Sequence, residues 1–190
     1  KNISPYLIDL DPSVIIQRES THIAGLSEML MGNMPRDGGN FIIDETDYIN
    51  LLGQNENSKK FVKKYVGSNE LIKGSKRWCL WIEDEDLDEA LSIKFIKDRL
   101  DKVMEFRKSS KARSTYEKAQ FPHKFAQIQS KPKKAIVVPK VTTSKRKYLP
   151  IDFVDEDVVV SDLCFAIYKP ETYLFGIISS RMHTIWLRAV

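Results

Sequence analysis

Lys140-Val141-Thr142-Thr143-Ser144-Lys145-Arg146-Lys147-Tyr148 gathers side chains that can reach the edges of paired bases. A guanidinium such as Arg146 can donate two parallel hydrogen bonds to guanine O6 and N7. Thr142, Thr143, Ser144 and Lys145 carry short hydroxyl and amine groups for the neighbouring edges. The run closes a longer basic block. From Arg107 to Lys147 thirteen Lys/Arg face one acid, Glu117, a local balance of +12. The whole chain is +4, so the other residues together carry −8. Charge sorted in this way meets a charged partner, and Ser, Thr and Gln among the cations point first to nucleic-acid phosphates. Lys108, Lys111, Arg113, Lys118, Lys124, Lys131, Lys133, Lys134, Lys140 and Lys147 are the candidate phosphate contacts. Lysine is a mobile point charge, well suited to phosphate and poorly suited to bidentate base reading. An ordinary solvated hairpin tip, an RNA or an acidic protein partner remain competing readings of the loop.

The elements that must carry these groups follow from periodicity. Ala135–Pro139 and Tyr148–Phe153 read as strands on either side of the loop, with Val158–Ser161 and Cys164–Tyr168 after them. Asp86 to Lys118 is helical, in two pieces broken near Ser109-Ser110. Ile93, Ile96, Leu100, Val103 and Met104 share one face, which Arg107, Lys111 and Lys118 continue. The helix therefore either leaves the core to lay its cations on phosphates or kinks at the serines. Earlier, Tyr6–Leu10 and Val14–Gln17 are extended candidates, and Gly32 to Asn40 (GNMPRDGGN) is a tight loop needing φ > 0 at several positions. Phe41-Ile42-Ile43 reads as a strand, Asp44 as the N-cap of a helix from Glu45 to Leu52, and Lys59–Val66 as a short helix closed by Gly67. Leu71 to Ile82 has the pattern of a hairpin about a Gly-Ser turn, its second arm buried on both faces. The acidic run Glu83 to Glu89 is a solvated helix start rather than a metal site. The end, ETYLFGIISSRMHTIWLRAV, is an apolar helix or helix pair in which Gly176 permits close packing. The fold class expected is α+β, a central, mostly antiparallel twisted sheet with flanking helices.

Composition bounds the rest. The 190 residues are 42% hydrophobic, with nine Phe, seven Tyr and three Trp, enough for the core of one domain. Cys79 and Cys164 sit in apolar strings, so buried reduced thiols in a cytoplasmic protein are expected. No apolar run reaches the roughly 20 residues of a membrane helix, and no signal-peptide pattern is present. A first residue other than Met and an apolar last string suggest a piece cut from a larger chain. There is no GxGxxG or Walker loop, no HExxH or paired-cysteine zinc spacing, and no nucleophile elbow. The Asn-Pro-Pro-aromatic tetrapeptide that holds a flipped adenine is also missing. No catalytic residue, metal or cofactor is assigned to this chain.

Seven ordered strings, ISPYLIDL, GNMPRDGGNFII, YVGSNELIKGSKRWCLW, FRKSSKARSTY, FPHKF, VVPKVTTSKRKYLPIDF and YLFGIISSRMHTIWLRAV, carry a resemblance. Together they resemble the target-recognition domain of MmeI-like DNA adenine methyltransferases, from about Ile3 to Val190. The resemblance implies sequence-specific recognition of double-stranded DNA for a methyltransferase domain that precedes it in the same polypeptide and binds S-adenosylmethionine. The parent would be a methyltransferase alone or a combined restriction–modification enzyme. It implies one recognition domain over 1–190, with a basic helix and linker at about 107–134 and a recognition loop at about 140–150. The family's polar group followed two residues later by Arg falls on Ser144 and Arg146; Ser in place of an acid changes which base is read. Asn33 and Arg36 in the Gly-rich loop, and Ser180, Arg181 and His183 near the end, are further candidates for contact with DNA or the adjoining domain, a buried His183 being the plainer reading. Rival classes are a stand-alone nuclease or methyltransferase and a protein-docking domain with a basic face.

Overall fold

The computed structural model describes Asp11, Ile15 and residues 25–189. The extended candidates Tyr6–Leu10 and Val14–Gln17 lie, Ile15 apart, outside the described residues. Eight strands and seven helices are described: β1 Met29–Met31, β2 Ile42–Ile43, α1 Glu45–Gln54, β3 Val62–Val66, α2 Ser68–Lys73, β4 Trp78–Leu80, α3 Leu87–Ser92, α4 Lys94–Lys108, α5 Arg113–Tyr116, β5 Ala135–Pro139, β6 Asp152–Val154, β7 Val158–Val160, β8 Cys164–Tyr168, α6 Thr172–Ser179 and α7 Arg181–Ala189. The class is α+β as expected, but the strands form two sheets of four, ordered β1-β8-β5-β6 and β2-β4-β3-β7. Every pairing is antiparallel except β3 with β7.

Period-two alternation explains why β5 is buried along its whole length. Ala135 and Val137 pack with Cys164, Ala166 and Tyr168 and meet Val66 and Val160 from the second sheet and Leu71 of α2. Ile136 and Val138 face the other way, onto Ile167 and onto Leu174 and Ile178 of α6. The second sheet is covered by α4, whose Ile96, Leu100 and Val103 close over Phe41, Leu80 and Phe125. Cys79 and Cys164 are buried free thiols, and burial pushes both above their ordinary pKa.

β5, β8 and the Asp44-capped α1 form where the sequence places them; the Asp44 carboxylate accepts the Asp47 N–H at 2.8 Å. Other expectations need correction. Lys59–Val66 is not a helix: a short 3₁₀ turn ends at Phe61, and β3 runs from Val62 to Val66 between β4 and β7. Gly67 does not close a helix but opens α2, because the Glu70 carboxylate accepts the Gly67 N–H at 2.9 Å. The hairpin is therefore a helix followed by a strand, and Gly74 ends α2 with φ 68°. Tyr148–Ile151 is loop, with β6 starting at Asp152. Helix 86–118 does break at the serines, and breaks again at Ile93. The terminal segment is a helix pair, and a Cβ at Gly176 would meet nothing within 4 Å, so close packing does not explain that glycine.

The two sheets are joined at Gly32 and Asn33. The Gly32 amide donates to Cys164 O at 2.9 Å and the Asn33 amide to Val160 O at 2.7 Å. A Cβ on Gly32 would stand 2.1 Å from the Ser161 carbonyl oxygen, so this crossing admits no side chain.

Candidate nucleic-acid interface

β5 and β6 pair antiparallel, with Val137 opposite Asp152, and present the intervening loop at one edge of the first sheet. Its tip is a small turn. The Lys145 amide donates to Thr143 Oγ1 at 3.1 Å and the Arg146 amide to Thr143 O at 3.2 Å. Thr142, Thr143, Ser144, Lys145 and Lys147 are exposed, whereas Arg146 is half-buried. One wall of a groove of about 180 Å³ is made by Thr142, Thr143, Ser144, Arg146 and Tyr148; the other is made by Thr184, Leu187 and Arg188 of α7. Inside it Arg146 Nε is buried with no hydrogen-bond partner among the described residues, and the Arg188 guanidinium donates to the Arg146 carbonyl. No acid is among the described residues that line this groove, so its electrostatics favour a ligand rich in acceptors.

The candidate phosphate contacts separate into groups. Lys108, Lys111, Arg113 and Lys118 are exposed around the end of α4, on α5 and in the turn after it, with Arg113 paired to Glu117 at 2.7 Å. Lys133, Lys134, Lys140 and Lys147 are exposed on the strand–loop–strand unit. There the Lys133 ammonium lies 4.6 Å from the Tyr168 ring centre, and Lys140 lies 5.4 Å from that of Phe165. Two of the expected contacts are tied to the protein. Lys124 pairs with Asp84 at 2.5 Å and Lys131 with Glu83 at 2.9 Å, both acids belonging to the acidic run. Lys124 and then His123 hold the Asp84 carboxyl below its ordinary value; at Glu83 burial works the other way, but Lys131 and the Trp81 N–H outweigh it.

Arg107 corrects the idea of a helix whose later turns leave the core. Its side chain is 0% exposed and its N–H groups meet the carbonyls of Pro35, Arg36, Lys118, Phe121 and Lys124 at 2.7–3.0 Å. Asn33 is likewise internal: its amide donates to Ser130 O and accepts the N–H groups of Gln129 and Ser130, so its polar atoms are spent within the fold. Arg36, at φ 44°, directs its guanidinium to Ser114 and Thr115 of α5, which locks the Gly-rich loop onto the basic segment. Ser180 Oγ accepts the His183 amide at 3.1 Å, and His183 Nδ1 donates to Ile178 O at 2.8 Å. His183 is thus half-buried with that nitrogen committed to the helix junction, while Arg181 is exposed.

The family model for the target recognition domain of MmeI matches residues 10–190. This chain belongs to the MmeI target recognition domain family. It is 34% identical over 189 residues to DNA methyltransferase A of Bacillus subtilis (strain 168), covering all of this chain and 21% of that protein. It is also similar to the structure of the type IIL restriction–modification enzyme MmeI in complex with DNA, with TM-score 0.88 and 36% identity, over 100% of this chain and 25% of that one. The recognition domain therefore spans between a fifth and a quarter of these relatives.

Within the recognition domain, α7 supplies groups that sequence reasoning missed. Thr184, Leu187 and Arg188 face the loop although Arg188 stands 42 residues from Arg146, beyond the reach of any local pattern. The helix also turns an apolar stripe outward, with Met182 82% exposed and Ile185 and Trp186 at least half exposed. The spacing of these three residues, i, i+3 and i+4, was the available signal for an amphipathic surface helix.

Proposed function

We propose that this domain reads the sequence of double-stranded DNA for an N6-adenine methyltransferase carried in the same polypeptide. The observation that carries the reading is the β5–β6 loop: four exposed polar residues, Thr142 to Lys145, and the half-buried Arg146 stand between β5, which is buried along its whole length, and the exposed edge strand β6. A rigid base and a polar tip are what direct readout requires. Exposed Lys108, Lys111, Arg113, Lys118, Lys133, Lys134, Lys140 and Lys147 supply phosphate contacts, which fix register without encoding sequence. The solved complex of MmeI with DNA supports the same partner.

Methyl transfer and S-adenosylmethionine belong, in this reading, to the rest of the polypeptide, as the name DNA methyltransferase A suggests for that relative. No described helix is long and apolar enough to cross a membrane, and a cytoplasmic site of action is part of the proposal. The exposed stripe Met182, Ile185 and Trp186 fits a neighbouring protein surface, for which the methyltransferase domain is the partner proposed.

The test is Arg146→Ala in the full-length protein, assayed against duplexes substituted one base pair at a time. Choice should relax at one position by roughly 1–3 kcal/mol, the worth of a bidentate contact. A uniform loss over all duplexes would show that the loop only holds phosphate. Turnover by the isolated domain with metal or S-adenosylmethionine would favour a stand-alone enzyme.

A further inference from the structure

We propose that Arg188 of α7 is a positioning residue for base reading, with α7 serving as the back wall of the recognition loop. This rests on the reading of the loop as the base-contacting element. Between Pro139 and Asp152 the chain pairs with no strand, and the internal hydrogen bonds of its tip are those of the single turn at Thr143. A turn of that kind does not by itself hold a guanidinium within the few tenths of an ångström that a bidentate contact tolerates. Leu149 and Ile151 anchor the loop's return on the core of the first sheet, and at the tip the further hold comes from α7. The Arg188 guanidinium donates to the carbonyl of Arg146, the residue that carries the reading side chain. Thr184 and Leu187 complete the groove against which the Arg146 stem lies.

The placement of Arg146 fits this division of labour. Its Nε is buried and unpartnered among the described residues, in a side chain that lines the groove together with α7. The two Nη groups remain as the pair that can meet guanine O6 and N7 end-on. Arg188 brings a second positive charge to a groove with no acid among its described lining residues, and the dipole of the carbonyl it grips partly offsets the cost of that proximity. Arg188 thus acts through Arg146 rather than on a base.

Equilibrium binding by the full-length protein decides it, using the duplex that it methylates and singly substituted duplexes over a range of salt. Arg146→Ala, Arg188→Ala, Arg188→Lys, Leu187→Ala and the Arg146/Arg188 double variant are compared. Arg188→Ala should lose discrimination at the same base pair as Arg146→Ala, on the order of tenfold, with an unchanged salt slope. Arg188→Lys keeps an N–H donor and should recover most of it. Leu187→Ala thins the wall without altering charge and should move discrimination in the same direction. The double variant should discriminate no worse than Arg146→Ala, because there is nothing left to position. If Arg146→Ala relaxes choice and Arg188→Ala does not, the positioning role is wrong and the base-reading loop survives. A uniform loss with a salt slope shallower by about one ion would make Arg188 a phosphate contact and overturn the proposal. If Arg146→Ala leaves discrimination intact, both readings fail together.

Discussion

Arg107 and Arg146 have the same side chain and lie in the same basic block, yet one is spent wholly inside the fold and the other lies half-buried at a loop tip. Arg107 has five N–H groups and spends them on five carbonyls, with no carboxylate hydrogen-bonded to it among the described residues. Burial pushes its guanidinium below arginine's ordinary pKa, with Asp37 opposing that through charge alone. Apolar replacement of a buried ion pair can be harmless when both partners are replaced. Here the partners are backbone carbonyls from residues 35–36 and 118–124, which no substitution removes. Arg107→Met and Arg107→Lys should therefore both destabilise the domain by about 3 kcal/mol or more, since several buried acceptors are orphaned in each. Urea unfolding checks this: a lower midpoint at an unchanged slope is the expected outcome, with Lys111→Ala within about 0.5 kcal/mol of the unsubstituted protein.

The Glu70–Arg77 pair shows how an element is fixed by one carboxylate. Glu70 caps the start of α2 through Gly67 and takes Arg77 Nε at 2.7 Å and Nη2 at 2.9 Å, joining the helix to the approach of β4. Burial alone would raise its pKa, but Arg77 and the Gly67 N–H outweigh that, and the net direction is down. A carboxyl depressed on folding contributes stability in full above its unfolded value, about 4.3, and loses it as pH falls through the lower folded value. Glu70→Gln should flatten the acid limb of a stability-against-pH curve and leave its shape near neutrality unchanged, which thermal melts from pH 2 to 7 would read. This pair was hidden in the sequence. The Leu71-Ile72-Lys73 string looks like a strand because its only helix signals are a Glu three residues after Gly67 and the Gly74 stop. Phe61, Val62, Tyr65 and Val66 imitate a helical period, and β3 is a strand because β4 and the distant β7 pair with it on both sides. β5 and β8 were legible because two-faced burial leaves an unbroken apolar run. The loop was legible as polar residues between such runs; its second wall was not, because α7 arrives by tertiary packing.

Across the whole molecule the charge sorting is real but overstates the free cations. The acidic run takes up Lys60 through Asp86 and Glu89, Lys124 through Asp84 and Lys131 through Glu83. Arg107 is withdrawn into the core, and the i,i+4 pair ties Arg113 to Glu117. The phosphate term should thus depend most on Lys108, Lys111, Lys118 and the lysines of the β5–β6 unit, with Arg113 contributing less because Glu117 already answers part of its charge, and not on all thirteen cations equally. Each phosphate neutralised releases about 0.9 of a counterion from duplex DNA. Lys111→Ala in the full-length protein should therefore weaken every duplex alike and make the slope of log affinity against log salt shallower by about one. Lys131→Ala removes a cation already answered by Glu83, and should leave that slope nearly unchanged while freeing an acid that repels DNA weakly. Titrations of one duplex at several salt concentrations compare the two directly. Equal reductions in slope would mean that DNA pulls Lys131 away from Glu83, and that the acidic run acts as a displaceable screen rather than as a fixed partner.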